Sequence, residues 1–336
     1  MDTVRTAMLL PKDKEKLERL YSEASLQMPV VDALDALVLL KEEGEILAAG
    51  GRKGSTILNV AARTSRQGGG LAAAVVSELV LEAAEKGITR LFLFTKPGNE
   101  PIFRSLGFYS VVQTDQTVML ENRKDGLERY LESLALPDRT GERVGCIVAH
   151  ANPFTRGHLA LVKEAAARCD RVLLFILSDQ TEPFSPEMRM EMARAAVQEL
   201  PNVILLPTKG YLVSHTTFPD YFYPDKAVGR AANCLLDVTL FAERIAPRLG
   251  ITARFVGEEP FSAVTEQYNQ CLAELLPKHG ISLFVIRRAE IDGIAVSATA
   301  VREAIAAGDM EKVKRLVPEA SFPILAAYAE ERKGRC

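Results

Sequence analysis

The stretch from Val144 to Cys169 constrains the fold of this chain more than any other. Val144–Ala149 is a short apolar run with the β-branched content of a fully buried strand. Asn152-Pro153 breaks it, because the residue before a proline is pushed out of the helical region. From Gly157-His158 onward, apolar residues recur at Leu159, Val162, Ala165 and Ala166, which is the spacing of one helix face. His158 thereby falls in the first turn of a helix that follows directly from a core strand. The N–H groups there lack intrahelical partners and the macrodipole is positive, so an anion is favoured. A side chain that adds a donor at that point suits a polyphosphate. A plainer role fits the same residues, with Asn152 or Thr155 as turn or cap and His158 as a packed or solvated histidine. This stretch alone leaves both readings open.

The alternation continues to the end of the chain. Strands are expected at Arg171–Leu177, Val203–Leu206, Ala253–Gly257 and Leu283–Arg287. Helices are expected from Ser185-Pro186-Glu187 to about Glu199, over Ala231–Leu249, over Val264–Leu276 and over Ala298–Ala307. Such an order means a mostly parallel, doubly wound sheet with ligands outside the carboxyl ends of its strands. At two of those ends lie Gly257-Glu258-Glu259-Pro260 and Ser297-Ala298-Thr299-Ala300-Val301-Arg302. Ser297 and Thr299 can donate to phosphate oxygens, and Arg302, one turn from Thr299, can return to the same anion with its planar fork. Read alone, this segment favours the plainer reading, with Ser297 as a helix cap and Arg302 as a solvated helix residue. Arg189 is expected on a solvated helix face, with phosphate contact as the alternative.

Composition narrows the class. A chain of 336 residues accommodates two domains with real cores. The net charge of −3 argues against general affinity for nucleic acid or an anionic membrane. The 5 cysteines are scattered without a metal or disulfide spacing, which reads as reduced thiols in a cytoplasmic setting. No signal-peptide pattern is seen, and the longest apolar stretch, Leu71–Ala84, is amphipathic. With 4 unclustered histidines, no zinc site held by protein ligands is expected.

Residues 1–122 read as a separate α/β unit, and residues 123–142, charged and turn-rich, as a linker to a third segment, 143–336. In the first unit, Gln67-x-x-Gly70-x-Ala72 leads into a helix, and Asn99 precedes Leu106-Gly107-Phe108. These two features in register resemble the GNAT acetyltransferase fold, whose glycine loop holds the pyrophosphate of coenzyme A. The resemblance implies that Gln67, Gly70 and Ala72 bind a coenzyme A-like group. Where many GNAT enzymes carry a tyrosine acid, this chain has Phe103, which cannot donate a proton. Binding of a coenzyme A-like group is expected of this unit, and the sequence leaves open whether it has any activity of its own.

Thr155-x-Gly157-His158 early and Val296-Ser297-x-Thr299-x-x-Arg302 late resemble the paired signatures of the nucleotidyltransferase superfamily, with threonine at the first histidine and His150 too far upstream to replace it. More narrowly, four stretches resemble the citrate lyase ligases. They are Asn152-Pro153-Phe154-Thr155-x-Gly157-His158, Thr217-Phe218-Pro219-x-Tyr221-Phe222, Arg254-Phe255-Val256-Gly257-x-Glu259-Pro260-Phe261 and Gln267-Tyr268-Asn269-Gln270. Those enzymes share the order of a GNAT-like unit followed by a nucleotidyltransferase unit.

The resemblance implies an AMP-forming ligation. Acetate and ATP give acetyl-AMP and pyrophosphate, and the acetyl group passes to the prosthetic-group thiol of the citrate lyase acyl carrier subunit. Acetate is ionised at neutral pH, so the first attack needs no base. It needs in-line positioning and neutralisation of the leaving pyrophosphate. Catalytic roles are assigned to His158, Thr155 and Arg302. Nucleotide contacts are assigned to Asn152, Phe154, Gly157, Gly257, Glu259, Ser297 and Thr299, with Mg²⁺ held mainly by phosphates. Phe218, Tyr221 and Phe222 are candidates for an acyl or pantetheine channel or for core packing. An adenylyltransferase acting on a pantetheine-type phosphate ester and a non-catalytic coenzyme A or ATP sensor remain the alternatives.

Overall fold

The computed structural model describes residues 2–6, 9–63, 70–136, 141–179, 182–212, 223, 225–258, 263–287, 290–291 and 294–333. The contacts divide the chain into two compact units, one of residues 1–129 with 218–240, the other of 130–217 with 241–336. The linear partition differs in two respects: it sets 123–142 apart as a linker, which the contacts divide after residue 129, and it leaves 218–240, with the helix Lys226–Leu240, in the C-terminal segment.

The first unit is built on strands β1 (Asp2–Thr6), β2 (Ala36–Glu42), β3 (Glu45–Lys53), β4 (Thr56–Ala62), β5 (Phe92–Thr95), β6 (Tyr109–Gln113) and β7 (Val118–Glu121). Their order is β1-β2-β3-β4-β5-β7-β6. Every pairing is antiparallel except β4 with β5, which meet only at Thr56↔Phe92 and Ile57↔Leu93. Helices α1 (Pro11–Glu23), α2 (Leu71–Glu85), α3 (Glu100–Arg104) and α4 (Gly126–Ser133) accompany them, α4 belonging in part to the second unit. Leu71, Val75, Val76, Leu79 and Ala83 of α2 are buried on one face of the sheet, in the i, i+4 pattern that its sequence predicts. Leu17, Leu20 and Tyr21 of α1 bury against another core. This is a mixed α/β unit, as expected. The segment after Gly107 forms two antiparallel strands, β6 and β7, turned over Thr114–Thr117, where the Thr114 N–H donates to the Thr117 carbonyl at 2.8 Å.

The second unit carries β8 (Val144–Ala149), α5 (Arg156–Arg168), β9 (Arg171–Ile176), α6 (Pro186–Val197) and β10 (Val203–Pro207). After α7 (Lys226–Leu240), which belongs to the first unit, come α8 (Ala246–Leu249), β11 (Ile251–Gly257), α9 (Ala263–Leu275), β12 (Ser282–Ile286), α10 (Ala298–Ala306), α11 (Met310–Leu316) and α12 (Phe322–Lys333). The expected uninterrupted helix over 231–249 is broken by a π-helical turn at Phe241–Ile245. The sheet order is β10-β9-β8-β11-β12, all parallel. β8 is therefore the pivot, since the chain winds outward one way through β9 and β10, then the other way through β11 and β12. The crevice at this reversal is where doubly wound sheets bind ligands.

Burial on both faces explains why β8 and β9 are apolar without alternation. Gly145 is required within β8, because a Cβ there would fall 2.8 Å from the Cys169 sulfur and 3.0 Å from the Phe255 ring. Phe255 of β11 stacks on Phe284 of β12 with ring centres 4.8 Å apart. No helix among the described residues is long and apolar enough to cross a membrane.

Candidate active site

The chain leaves β8 at Ala149 and enters α5 at Arg156, so residues 150–155 form the loop at the pivot of the sheet. Thr155 is the N-cap of α5, with extended backbone. Its Oγ1 accepts from the His158 N–H at 3.4 Å, and its own N–H donates to His158 Nδ1 at 3.0 Å. Thr155 Oγ1 also lies 2.8 Å from Nδ1. This is a capping box in which histidine takes the place usually held by Glu or Gln. A backbone N–H can only donate, so Nδ1 accepts and the ring proton resides on Nε2. Phe154, fully buried, lies against the imidazole with ring centres 5.3 Å apart and fixes its plane. The cap reading and the ligand reading of Thr155 and His158 are thus compatible, because the cap orients the ring.

Ser297 caps α10 through the Ala300 N–H at 3.0 Å; as acceptor in that bond, its hydroxyl retains a proton to donate. Arg302, one turn into α10, donates from Nη1 to the Asn152 carbonyl at 2.6 Å and from Nη2 to Thr299 Oγ1 at 2.8 Å. A Cβ on Gly157 would lie 3.6 Å from the Val296 carbonyl oxygen. The two segments, about 150 residues apart, therefore meet at one point beside the start of α5. Gly257 ends β11, the neighbour of β8, and its carbonyl accepts from Asn269 Nδ2 at 3.2 Å. Asn152 is buried; its Nδ2 donates to the Glu182 carbonyl at 3.0 Å, tying the loop after β8 to the loop after β9. Its Oδ1 is buried and accepts no hydrogen bond among the described residues. Glu259, Gln67, Phe218, Tyr221 and Phe222 lie outside the described residues. Gly70 is the N-cap of α2 at φ 72°, a left-handed conformation that glycine adopts without strain, and Ala72 is in the first turn of that helix. Phe103 is buried in the core of its unit.

One expectation is overturned. Arg189 is not on a solvated helix face; it is 0% exposed. Its Nη1 donates to the His150 carbonyl at 3.1 Å and its Nη2 to the Asp179 carbonyl. The Asp179 carboxylate lies 3.5 Å from Nη1. Burial lowers the Arg189 pKa, and the Asp179 charge opposes that shift. Arg189 thus clasps the segments leaving β8 and β9, a task for a planar multi-donor group. Sequence reasoning also missed a His–Asp pair at those ends, since His150 Nε2 lies 3.3 Å from Asp179 Oδ2. The available signal was position, because both residues come within three of a strand's carboxyl end. Cys146, buried in β8, accepts from Arg254 Nη1 at 3.3 Å. Burial pushes its thiol pKa up, so it is no nucleophile.

A five-stranded parallel sheet of this order, with a capped, phosphate-suited helix start at its pivot, defines a doubly wound α/β unit whose ligand crevice suits a phosphate-bearing molecule. Comparison with known proteins makes the assignment narrower. The family model for the citrate lyase ligase C-terminal domain matches residues 144–325. The citrate (pro-3S)-lyase ligase of Klebsiella pneumoniae is 34% identical, spanning 98% of each chain. That of Escherichia coli K12 is 34% identical over 91% of this chain and 89% of its own. Among solved structures, Thermotoga maritima TmcAL bound with alpha-thio ATP aligns over 56% of each chain with 15% identity and a TM-score of 0.40. The chain belongs to the citrate lyase ligase family.

Proposed function

We propose that this chain activates citrate lyase by an ATP-dependent, AMP-forming acetylation of the prosthetic-group thiol on the lyase acyl carrier subunit. Family membership supports the enzyme class, and one observation supports the site. The Arg302 guanidinium donates to the Asn152 carbonyl, which gathers the early and late signatures at the pivot of the sheet. In this reading the start of α5 and His158 Nε2–H hold the polyphosphate of ATP, with Ser297, Thr299 and Arg302 closing on it from α10. An acetate oxygen attacks the α-phosphorus, pyrophosphate leaves, and donors already in position stabilise the charge that builds on it. Among the described residues, no three or more His, Cys, Asp or Glu side chains gather as a metal site. The Mg²⁺ that accompanies ATP would therefore take its ligands mainly from phosphates and water, and it would neutralise charge on the leaving group. In the first unit, the start of α2 at Gly70 would hold the pyrophosphate of the coenzyme A-like prosthetic group.

ATP–pyrophosphate exchange, measured with and without acetate and then with thiol-form citrate lyase, tests the proposal. Acetate-dependent exchange and recovery of lyase activity are expected. Exchange that ignores acetate would point to an adenylyltransferase acting on a phosphate ester, and no exchange at all to a nucleotide sensor.

A further inference from the structure

The ligation has a second half whose chemistry differs from the first. A thiol with an ordinary pKa of ~8.5 is mostly protonated near neutral pH, and the thiolate is the nucleophile. The thiol step therefore gains from a base that the acetate step does not need. Among the described residues, one ring is suited to this. His150 is the first residue beyond β8, on the same loop as Asn152 and Thr155. Its Nε2 is buried and lies 3.3 Å from Asp179 Oδ2, while 32% of the side chain remains exposed, so the exposure belongs to side-chain atoms other than Nε2. Three contacts hold the pair in register: Arg189 binds the carbonyls of both His150 and Asp179, and its Nη1 lies 3.5 Å from the Asp179 carboxylate.

We infer that His150 is the general base of the thiol-transfer step, with Asp179 as its orienting partner and Arg189 as the clasp that positions both. The inference rests on the proposed ligase reading. Nε2 is turned toward the Asp179 carboxylate at 3.3 Å, a charge contact without an aligned hydrogen bond, which leaves Nδ1 as the nitrogen to accept a proton. As the sulfur attacks the acetyl carbon of acetyl-AMP, the S–H proton passes to Nδ1. The C–S bond forms, the bond from the acetyl carbon to the phosphate oxygen breaks, and AMP departs with that electron pair. The proton then passes to water. Carboxylate–imidazole pairs of this kind orient the base and stabilise the imidazolium as it forms. Among the described residues, the Asp179 carboxylate from the end of β9 faces the ring, and the Arg189 guanidinium from α6 lies against that carboxylate.

The test separates the two half-reactions in the full chain. His150→Gln should lower acetyl transfer to thiol-form citrate lyase by ~10²–10⁴-fold, the usual range for loss of a general base. Acetate-dependent ATP–pyrophosphate exchange should fall far less. The acid limb of the transfer-rate pH profile should vanish with the imidazole, and added imidazole should partly restore transfer in His150→Ala. Equal losses in exchange and transfer would assign the ring to the nucleotide and overturn the inference; so would unchanged transfer. If the unsubstituted protein shows no acetate-dependent exchange, the ligase reading itself fails, and this inference with it.

Discussion

Arg302 carries two contacts that a lysine cannot reproduce, one to the Asn152 carbonyl and one to Thr299 Oγ1. A compact ammonium lacks the planar fork that spans both. Arg302→Ala is therefore expected to lower ATP–pyrophosphate exchange by at least ~10²-fold, the usual cost of losing one transition-state donor. Arg302→Lys should recover little of that loss. In the proposed site Thr155 joins stability to catalysis, since one hydroxyl caps α5 and touches the His158 ring. Thr155→Ala should cost ~0.5–2 kcal/mol in denaturant unfolding, the range for lost N-caps. It should lower exchange as well, because His158 loses part of what orients it. Thr155→Ser keeps the hydroxyl and should restore most of both. A variant with normal exchange and a lost cap would separate the two roles and refute their coupling.

Between elements, the buried pair Arg52–Glu82 joins β3 to α2 in the first unit. Arg52 Nε and Nη2 reach the two carboxylate oxygens at 2.7 and 3.0 Å, and Arg52 is 1% exposed. The Arg52 hydrogen bonds hold the Glu82 pKa below its ordinary 4.5 against the opposing effect of burial, with Lys86 adding to the depression. A depressed acid stabilises the fold fully above its unfolded value and loses that contribution as pH falls through the folded value. Stability of the first unit should therefore decline below pH ~4.5, and Glu82→Gln should flatten that decline. Because the substitution leaves a buried guanidinium poorly compensated, it should also cost ~3–5 kcal/mol near neutral pH. Thermal melts across pH 3 to 8 check both statements. In the second unit, Phe255→Ala removes a stacked ring from between two strands and should cost ~3–5 kcal/mol in the same assay.

For the molecule as a whole, the assignment of residues 218–240 to the first unit has a practical consequence. Tyr223 is buried there; its hydroxyl bonds Thr117 and the Gln116 carbonyl, and its own carbonyl accepts from Gln27. A fragment ending at residue 142 lacks these contacts and α7. It is expected to aggregate or melt well below the full chain, as size exclusion and calorimetry would reveal. A fragment that stays monomeric and equally stable would disprove the dependence. Local pattern alone made most elements legible, namely the apolar run of β8, the cap and periodicity of α5, and the Ser297 start of α10. It also carried the two signatures and the α/β class, because caps, turns and amphipathic faces are set by residues a few positions apart. Arg189, the His150–Asp179 pair and the membership of α7 were not legible. Each depends on strands that are neighbours in space and distant in order. Nothing within a ten-residue window records that β8 lies between β9 and β11. Composition and motif thus determined what kinds of element this chain forms and which family it joins. Only the packed sheet decided which side chains meet, because β pairing joins residues whose separation along the chain leaves no local trace.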